Sequence, residues 1–114
     1  MIQDEIIITF DQKRLTACIY CEIDHHTSFR LRKRIDEELF LRMPQVLCID
    51  FSNVRFMDSS GIALIIGRAE AMAAFCGSVR IIGLSAPLLK IVKLSGVDKL
   101  PNLTINQNAL NEGI

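Results

Sequence analysis

Two adjacent hydroxyl groups follow an acidic residue in the middle of the chain, within segment 56–61 (FMDSSG). The apolar run behind them predicts a helix from about Ser60 to Phe75. Both hydroxyls would then lie at the N-terminus of this helix, where the first backbone N–H groups lack partners within the helix. Asp58-Ser59-Ser60 is typical of an ordinary helix N-cap. The same position also suits a phosphoacceptor, because free N–H donors and the helix dipole tolerate added negative charge.

A second polar cluster, Asp24-His25-His26-Thr27, precedes another predicted helix, which Thr27 or Ser28 is expected to N-cap. Adjacent histidines point in different directions, and no cysteine or further histidine stands at ligand spacing from them. We therefore expect no metal at this cluster. Polar contacts with a partner protein are the favoured role of its side chains.

Catalysis is a weaker hypothesis for these residues. A serine nucleophile needs a base held by a third group, and the G-x-S-x-G motif of α/β-hydrolases is missing from the sequence. His25 or His26 with Asp24 could in principle serve Ser59, but a domain this small leaves little room for a substrate pocket. The sequence also shows no Walker loop and no kinase signature. We predict that the chain is not an enzyme, uses no cofactor and is itself a substrate of chemistry.

The four cysteines include a C-x-x-C pair, Cys18 and Cys21, which could indicate zinc or redox chemistry. Both fall inside a predicted strand, where residues three apart point to opposite faces, so they could not share a metal. Cys48 and Cys76 are isolated in apolar surroundings and are expected to be buried and inert.

Composition indicates one globular domain over residues 1–114. Half of the residues are apolar, but the longest central apolar stretch is far shorter than the roughly 20 residues that span a bilayer. Thirteen basic and thirteen acidic residues cancel, so the basic excess typical of nucleic-acid binders is missing. The acidic start of the chain differs from a basic secretory signal. We expect a cytoplasmic protein that binds neither a membrane nor nucleic acid.

Periodicity and turn signals predict the elements that position these residues. Strands are predicted at Glu5–Phe10, Leu15–Glu22, Val46–Phe51, Ser78–Gly83 and Leu103–Ile105, and helices at about 27–43, 60–75 and 85–96. The first two strands form a hairpin, and the continuously apolar third strand is expected to be covered on both faces. A weakly helical or frayed tail is expected at 108–114.

Details within the helices are also predicted. The first half of the second helix should be largely buried, and Gly77 should serve as its C-cap. Ile91 should face inward from the third helix, which Ser85 caps. On the first helix, charges four residues apart are expected to pair, Arg32 with Asp36 and Lys33 with Glu37.

The segment from Val46 to Gly83 is a strand–helix–strand unit, so its strands should be parallel. We predict an α/β fold, a mixed sheet of four to five strands with an N-terminal antiparallel hairpin and three to four packed helices. Binding sites in such sheets lie beyond the carboxyl ends of the parallel strands. This placement points to loop 52–60.

Four elements, in this order and context, resemble the anti-sigma factor antagonist family of bacterial STAS-domain proteins, most closely its sporulation-type branch. They are segment 24–27 (DHHT) before a helix, segment 56–61, Gly67-Arg68, and segment 94–96 (LSG). The resemblance covers roughly residues 5 to 105 and implies a single STAS-type domain.

The resemblance implies a partner-switching role. The unmodified antagonist would bind an anti-sigma factor that is also a serine kinase, a GHKL-type ATPase, and would thereby release a sigma factor. The kinase would phosphorylate Ser59, which matches the family's first serine, and a serine phosphatase would restore it. A monomer that pairs with a dimeric kinase is the family expectation. The residues expected to contact the partner are Asp24, His25, His26, Thr27, Asp58, Ser60, Gly61 and Arg68.

Two points stay open within this resemblance. Arg68 could contact the partner or be a solvated charge on the polar side of its helix. Cys21 stands where the family often has glycine, so the strand end before Asp24 could follow a different path. The alternative function is a STAS-type interaction module of a stress-signalling or transporter complex that is not controlled at Ser59.

Overall fold

The computed structural model describes residues 5–106, which form one mixed sheet with helices packed against it. The strands are β1 (Ile6–Asp11), β2 (Arg14–Ile19), β3 (Val46–Asp50), β4 (Ser78–Ile82) and β5 (Leu103–Ile105), and the α-helices are α1 (His25–Arg42), α2 (Ser59–Ala74) and α3 (Ala86–Ser95). A short 3-10 helix at Val97–Lys99, which was not predicted, precedes β5. The tail predicted at 108–114 lies outside the described residues.

The five strands lie side by side in chain order. β1 is antiparallel to β2, and β2 through β5 are parallel neighbours. Gln12 and Lys13, the two residues of the hairpin turn, both have positive φ angles (49° and 67°), as a tight turn between twisted strands requires. The predicted mixed sheet with an N-terminal hairpin is confirmed.

The helices cover one face of the sheet. When consecutive parallel strands are added in one direction, right-handed crossovers place every connecting helix on the same side. Burial along β2 agrees, since Leu15, Ala17 and Ile19 have no exposed surface whereas the residues between them are only partly buried. Within residues 5–106 no helix lies on the second face of β3. Cys48 points to that face and is nevertheless only 3% exposed, so the expected burial of β3 on both faces holds at its centre.

Three details of the element ends differ from prediction. Asp24, not Thr27 or Ser28, N-caps α1. β2 ends at Ile19 instead of Glu22, so Cys21 lies beyond the strand. At the end of α2 the left-handed residue is Cys76 (φ 59°), and Gly77 instead donates its N–H to the Met72 carbonyl at 2.7 Å.

The third helix follows its prediction more closely. Ser85 caps it, accepting a hydrogen bond from the Leu88 N–H, and Gly96 ends it with a left-handed φ of 82°. None of the helices in residues 5–106 is long and apolar enough to cross a membrane.

Candidate functional site

The loops that precede α1 and α2 are joined to each other. Ile23 and Met57 form an isolated parallel bridge. The Ile23 N–H donates to the Phe56 carbonyl at 3.0 Å, and the Asp58 N–H donates to the Ile23 carbonyl at 3.1 Å. Because Asp24 and Asp58 directly follow the bridged residues, the two helix N-termini lie next to each other at the carboxyl end of the parallel strands. The structure thus brings together the two polar clusters that the sequence singled out.

Asp24 builds a complete capping box at the start of α1. Its carboxylate accepts hydrogen bonds from the backbone N–H groups of His26 and Thr27, both at 2.9 Å. The Thr27 hydroxyl oxygen accepts the Asp24 N–H at 2.9 Å, and that hydroxyl donates to the Glu22 carbonyl at 2.8 Å. The Thr27 N–H bond is the main cause that lowers the pKa of Asp24 below its usual 3.8. Thr27 is thereby a structural member of the site.

His25 and His26 occupy the first turn of α1 and are both exposed. Their rings make an edge-to-face contact with centroids 5.8 Å apart. Cys21 has no positive φ, so its backbone does not need the conformation for which glycine is favoured. The departure from the family glycine therefore leaves the Asp24 cap intact.

Asp58 caps α2 in a simpler way. Its carboxylate accepts the Ser60 N–H at 2.8 Å. The third residue of the helix is Gly61, which has no side chain, so no reciprocal capping box forms. Ser59, the first helical residue, is exposed, and its hydroxyl makes no hydrogen bond within residues 5–106. The N-cap function thus belongs to the aspartate, and the Ser59 hydroxyl is not used for it.

An apolar groove lies between α2 and α3 beside Ser59. We call it the α2/α3 groove; its volume is about 640 Å³, and its lining includes Ser59, Ile62, Ala63, Ile66, Ile91 and Leu94. Ile66 and Ile91 are 37% and 38% exposed, and Leu94 is 78% exposed. The prediction that the first half of α2 is largely buried holds at Gly61, Leu64 and Ile65 but not at Ile66. The prediction that Ile91 faces inward is wrong.

Arg68 lies away from both capped N-termini. The residue is only 6% exposed, and its guanidinium forms an ion pair with Asp36 of α1, with Nε 2.8 Å from Oδ1. The N–H is not aligned for a hydrogen bond. Burial lowers the pKa of Arg68, and the nearby Asp36 carboxylate opposes that shift. The interpretation of Arg68 as a solvated charge is wrong, since the residue connects α2 to α1.

The Arg68 contact also changes the charge pairing along α1. Asp36 pairs with Arg68, so the predicted pair with Arg32 does not form. Lys33 and Glu37 are not paired in the described part of the chain either, whereas Glu38 and Arg42 form an i,i+4 pair at 3.3 Å. Tertiary contact with α2 therefore overrides the helix-surface pattern.

The cysteines divide differently from the prediction. Cys48 is buried as expected, but Cys76 is exposed. The Cys18 thiol lies on the sheet face away from the helices, 3.6 Å from a carboxylate oxygen of Asp50. Burial raises the pKa of the Cys21 thiol. In the range 5–106, no three histidine, cysteine or acidic side chains converge as a metal-binding group.

The fold and this site define a class of protein. A model of the STAS domain matches residues 16–109. The chain therefore belongs to the STAS domain family, and the resemblance drawn from segments 24–27 and 56–61 is confirmed.

Particular relatives are anti-sigma factor antagonists. The chain is 33% identical over 92 residues to an anti-sigma F factor antagonist of Paenibacillus polymyxa, over 80% of this chain and 79% of that protein. Its fold resembles that of the anti-sigma factor antagonist SpoIIAA in the unphosphorylated form (TM-score 0.76, 24% identity, 96% and 97% of the two chains). It also resembles the Bacillus cell fate determinant SpoIIAA in the phosphorylated form (TM-score 0.69, 22% identity, 96% and 99%).

Sequence reasoning missed two parts of this site. The α2/α3 groove was hidden because a run of apolar residues at 62–66 looks the same whether it is buried or left partly open. The Asp36–Arg68 pair joins residues 32 positions apart, and a local charge pattern favoured a nearer partner. An amphipathic α3 with Leu94 on its outer side was the one available signal.

Proposed function

We propose that this protein is a phosphorylation-controlled anti-sigma factor antagonist. In its unphosphorylated form it binds an anti-sigma factor that is also a serine kinase, a GHKL-type ATPase, and so frees a sigma factor. The kinase inactivates it by phosphorylating Ser59, and a serine phosphatase reverses the modification. We place it in the cytoplasm as a monomer that acts as a binding protein and not as an enzyme.

The observation that carries this proposal is the exposed hydroxyl of Ser59 at the start of α2, which has no hydrogen-bond partner among residues 5–106. A kinase must reach the hydroxyl of its substrate, and Ser59 needs no local unfolding to be reached. Asp58 already satisfies the Ser60 N–H, so modification of Ser59 would not remove the helix cap. The domain should therefore remain folded in both forms.

Phosphorylation would act on the docking surface. The phosphate adds nearly two negative charges beside the Asp58 carboxylate and at the rim of the α2/α3 groove. A partner that covers this groove would have to desolvate those charges, and like charges at an interface are strongly unfavourable. The fold occurs in SpoIIAA structures of both the unphosphorylated and the phosphorylated form, which supports the expectation that this domain stays folded when it is modified.

Asp58 lines the α2/α3 groove. Asp24, His25 and His26 stand at the adjacent N-terminus of α1, and we include all four side chains in the proposed contact region. Thr27 and Gly61 shape it from beneath, since Thr27 closes the capping box and Gly61 packs on Met57. Arg68 contributes by holding α2 against α1 through its ion pair with Asp36.

The test uses the cognate anti-sigma factor kinase with Mg-ATP. Mass spectrometry should find one phosphate, on Ser59, and Ser59→Ala should abolish it while Ser60→Ala, the matched control, retains it. Ser59→Ala should keep its affinity for the kinase, and Ser59→Asp should lose about tenfold or more. Label on Ser60 alone, or equal binding by Ser59→Asp, would contradict the proposed control. It would favour a STAS interaction module that is not regulated at Ser59.

A further inference from the structure

A second groove, distinct from the α2/α3 groove, runs between the first turns of α1 and α2. We call it the α1/α2 groove; its volume is about 230 Å³, and it is lined by His25, Ser28, Phe29, Arg32, Ser60, Ala63 and Leu64. Ser59 and Ser60 therefore line different grooves, although they are adjacent in the chain. The two grooves flank the predicted phosphoacceptor.

Arg32 is the one permanently charged side chain of this groove, and it has no ion-pair partner in residues 5–106. Its helical neighbour Asp36 is engaged by the buried Arg68. The Arg32 guanidinium instead lies over the Phe29 ring, 5.3 Å from its centroid. It is also close enough to Arg68 to lower the pKa of that residue. The positive charge of Arg32 therefore remains available beside α2.

The remaining lining groups suit a ligand that carries a hydrogen-bond acceptor at the end of a short apolar chain. The Ser60 hydroxyl makes no hydrogen bond in the described part of the chain, so it can donate to a ligand. The Ser28 hydroxyl already donates to the His25 carbonyl at 3.2 Å. Ala63 and Leu64 supply an apolar wall, and no acidic side chain lines the groove.

We propose that the α1/α2 groove receives an acidic side chain of the partner protein. Its carboxylate forms an ion pair with Arg32 and accepts a hydrogen bond from the Ser60 hydroxyl. This inference rests on the proposed function and names the partner chemistry at one part of the contact. A guanidinium binds a carboxylate through two parallel hydrogen bonds, which fixes orientation as well as attraction. Together with apolar burial in the α2/α3 groove, this contact sets the register in which Ser59 meets the kinase active site.

The first measurement is the affinity of wild-type protein for the cognate anti-sigma factor by titration calorimetry. No binding by the wild type would refute the proposed function, whereas the inference is tested only by the variants. Arg32→Gln should weaken binding by about tenfold, because it leaves the partner carboxylate without its counter-charge. Lys33→Gln removes the same charge one residue away, outside the groove, and should leave affinity nearly unchanged.

Two further measurements keep the result specific. Arg32→Lys should recover only part of the affinity, since an ammonium group lacks the two-pronged geometry. The salt dependence of binding should be smaller in Arg32→Gln than in the wild type. Equal affinities for Arg32→Gln and Lys33→Gln would overturn the inference. A second outcome would also overturn it: Arg32→Gln binds the anti-sigma factor normally when unmodified and still binds it when Ser59 is phosphorylated. Arg32 would then interact with the phosphate of Ser59 and not with a carboxylate of the partner.

Discussion

Asp24 and Asp58 each cap the helix that follows, but the two caps differ in whether a neighbouring hydroxyl group takes part in them. Thr27 stands at the third position of α1 and is held in a reciprocal capping box. Gly61 stands at the same position of α2 and offers no side chain to close such a box. The consequence at the residue scale is that Thr27 is committed to structure, whereas the Ser59 hydroxyl stays available for a partner.

The Asp24 cap gives a pH-dependent prediction. Its folded pKa lies below the usual 3.8, so its stabilising effect is complete above that value and is lost as the pH falls through the lower folded pKa. In the Asp24→Asn variant, the neutral amide oxygen can still cap the helix but cannot titrate. We therefore expect the stability difference between wild type and Asp24→Asn to shrink on acidification from about pH 6 to about pH 3. Urea unfolding at each pH measures it, and a constant difference would contradict this account.

Helix α2 is packed unevenly along its length. A Cβ atom added at Gly61 would lie 2.5 Å from the Met57 sulfur and 3.0 Å from the Met57 Cβ, and Met57 is buried. A Cβ at Gly67 would meet nothing within 4 Å. At the scale of the element, the close approach at Gly61 lets the N-terminus of α2 pack directly on the bridge that joins the two loops.

This contrast predicts opposite effects of one substitution at two positions of the same helix. Gly61→Ala should destabilise the protein by about 1–3 kcal/mol, because the methyl group displaces a buried side chain. Gly67→Ala should stabilise it by about 0.5–1 kcal/mol, because alanine loses less backbone entropy in a helix. Chemical denaturation of both variants measures these shifts. Destabilisation by Gly67→Ala, or a neutral Gly61→Ala, would disprove the packing explanation.

At the scale of the whole molecule, the one-sided arrangement of helices creates the surface beside Ser59. α2 and α3 cover the same face of the sheet, and the gap between them leaves Ile66, Ile91 and Leu94 partly exposed. An exposed apolar surface of this kind is typical of a protein contact site. Under the proposed function, the position of Ser59 on this rim would couple its phosphorylation to docking.

Leu94 and Leu41 offer a matched test of that surface. They are exposed to similar extents, 78% and 69%, but only Leu94 lines the α2/α3 groove. Leu94→Ala should weaken binding to the anti-sigma factor by about tenfold, as expected for an apolar contact near the centre of an interface. Leu41→Ala should bind normally, and both should unfold within about 0.5 kcal/mol of wild type. Equal affinities for the two variants would place the contact elsewhere.

The amino-acid sequence by itself determined the helices and strands, their order and the polar segments at the helix N-termini that carry the site. Periodicity, turn residues and capping residues act through the neighbouring backbone, so local patterns locate each helix start to within a few residues. The structure then showed that Asp24, and not Thr27 or Ser28, caps α1. Only the tertiary structure decided that Asp36 pairs with Arg68, that Arg32 is left without an acidic partner in the described range, and that Ile66 and Leu94 remain open. These outcomes depend on which distant segments come into contact in the fold. The sequence of a helix does not by itself show which of its apolar residues the neighbouring elements will leave exposed.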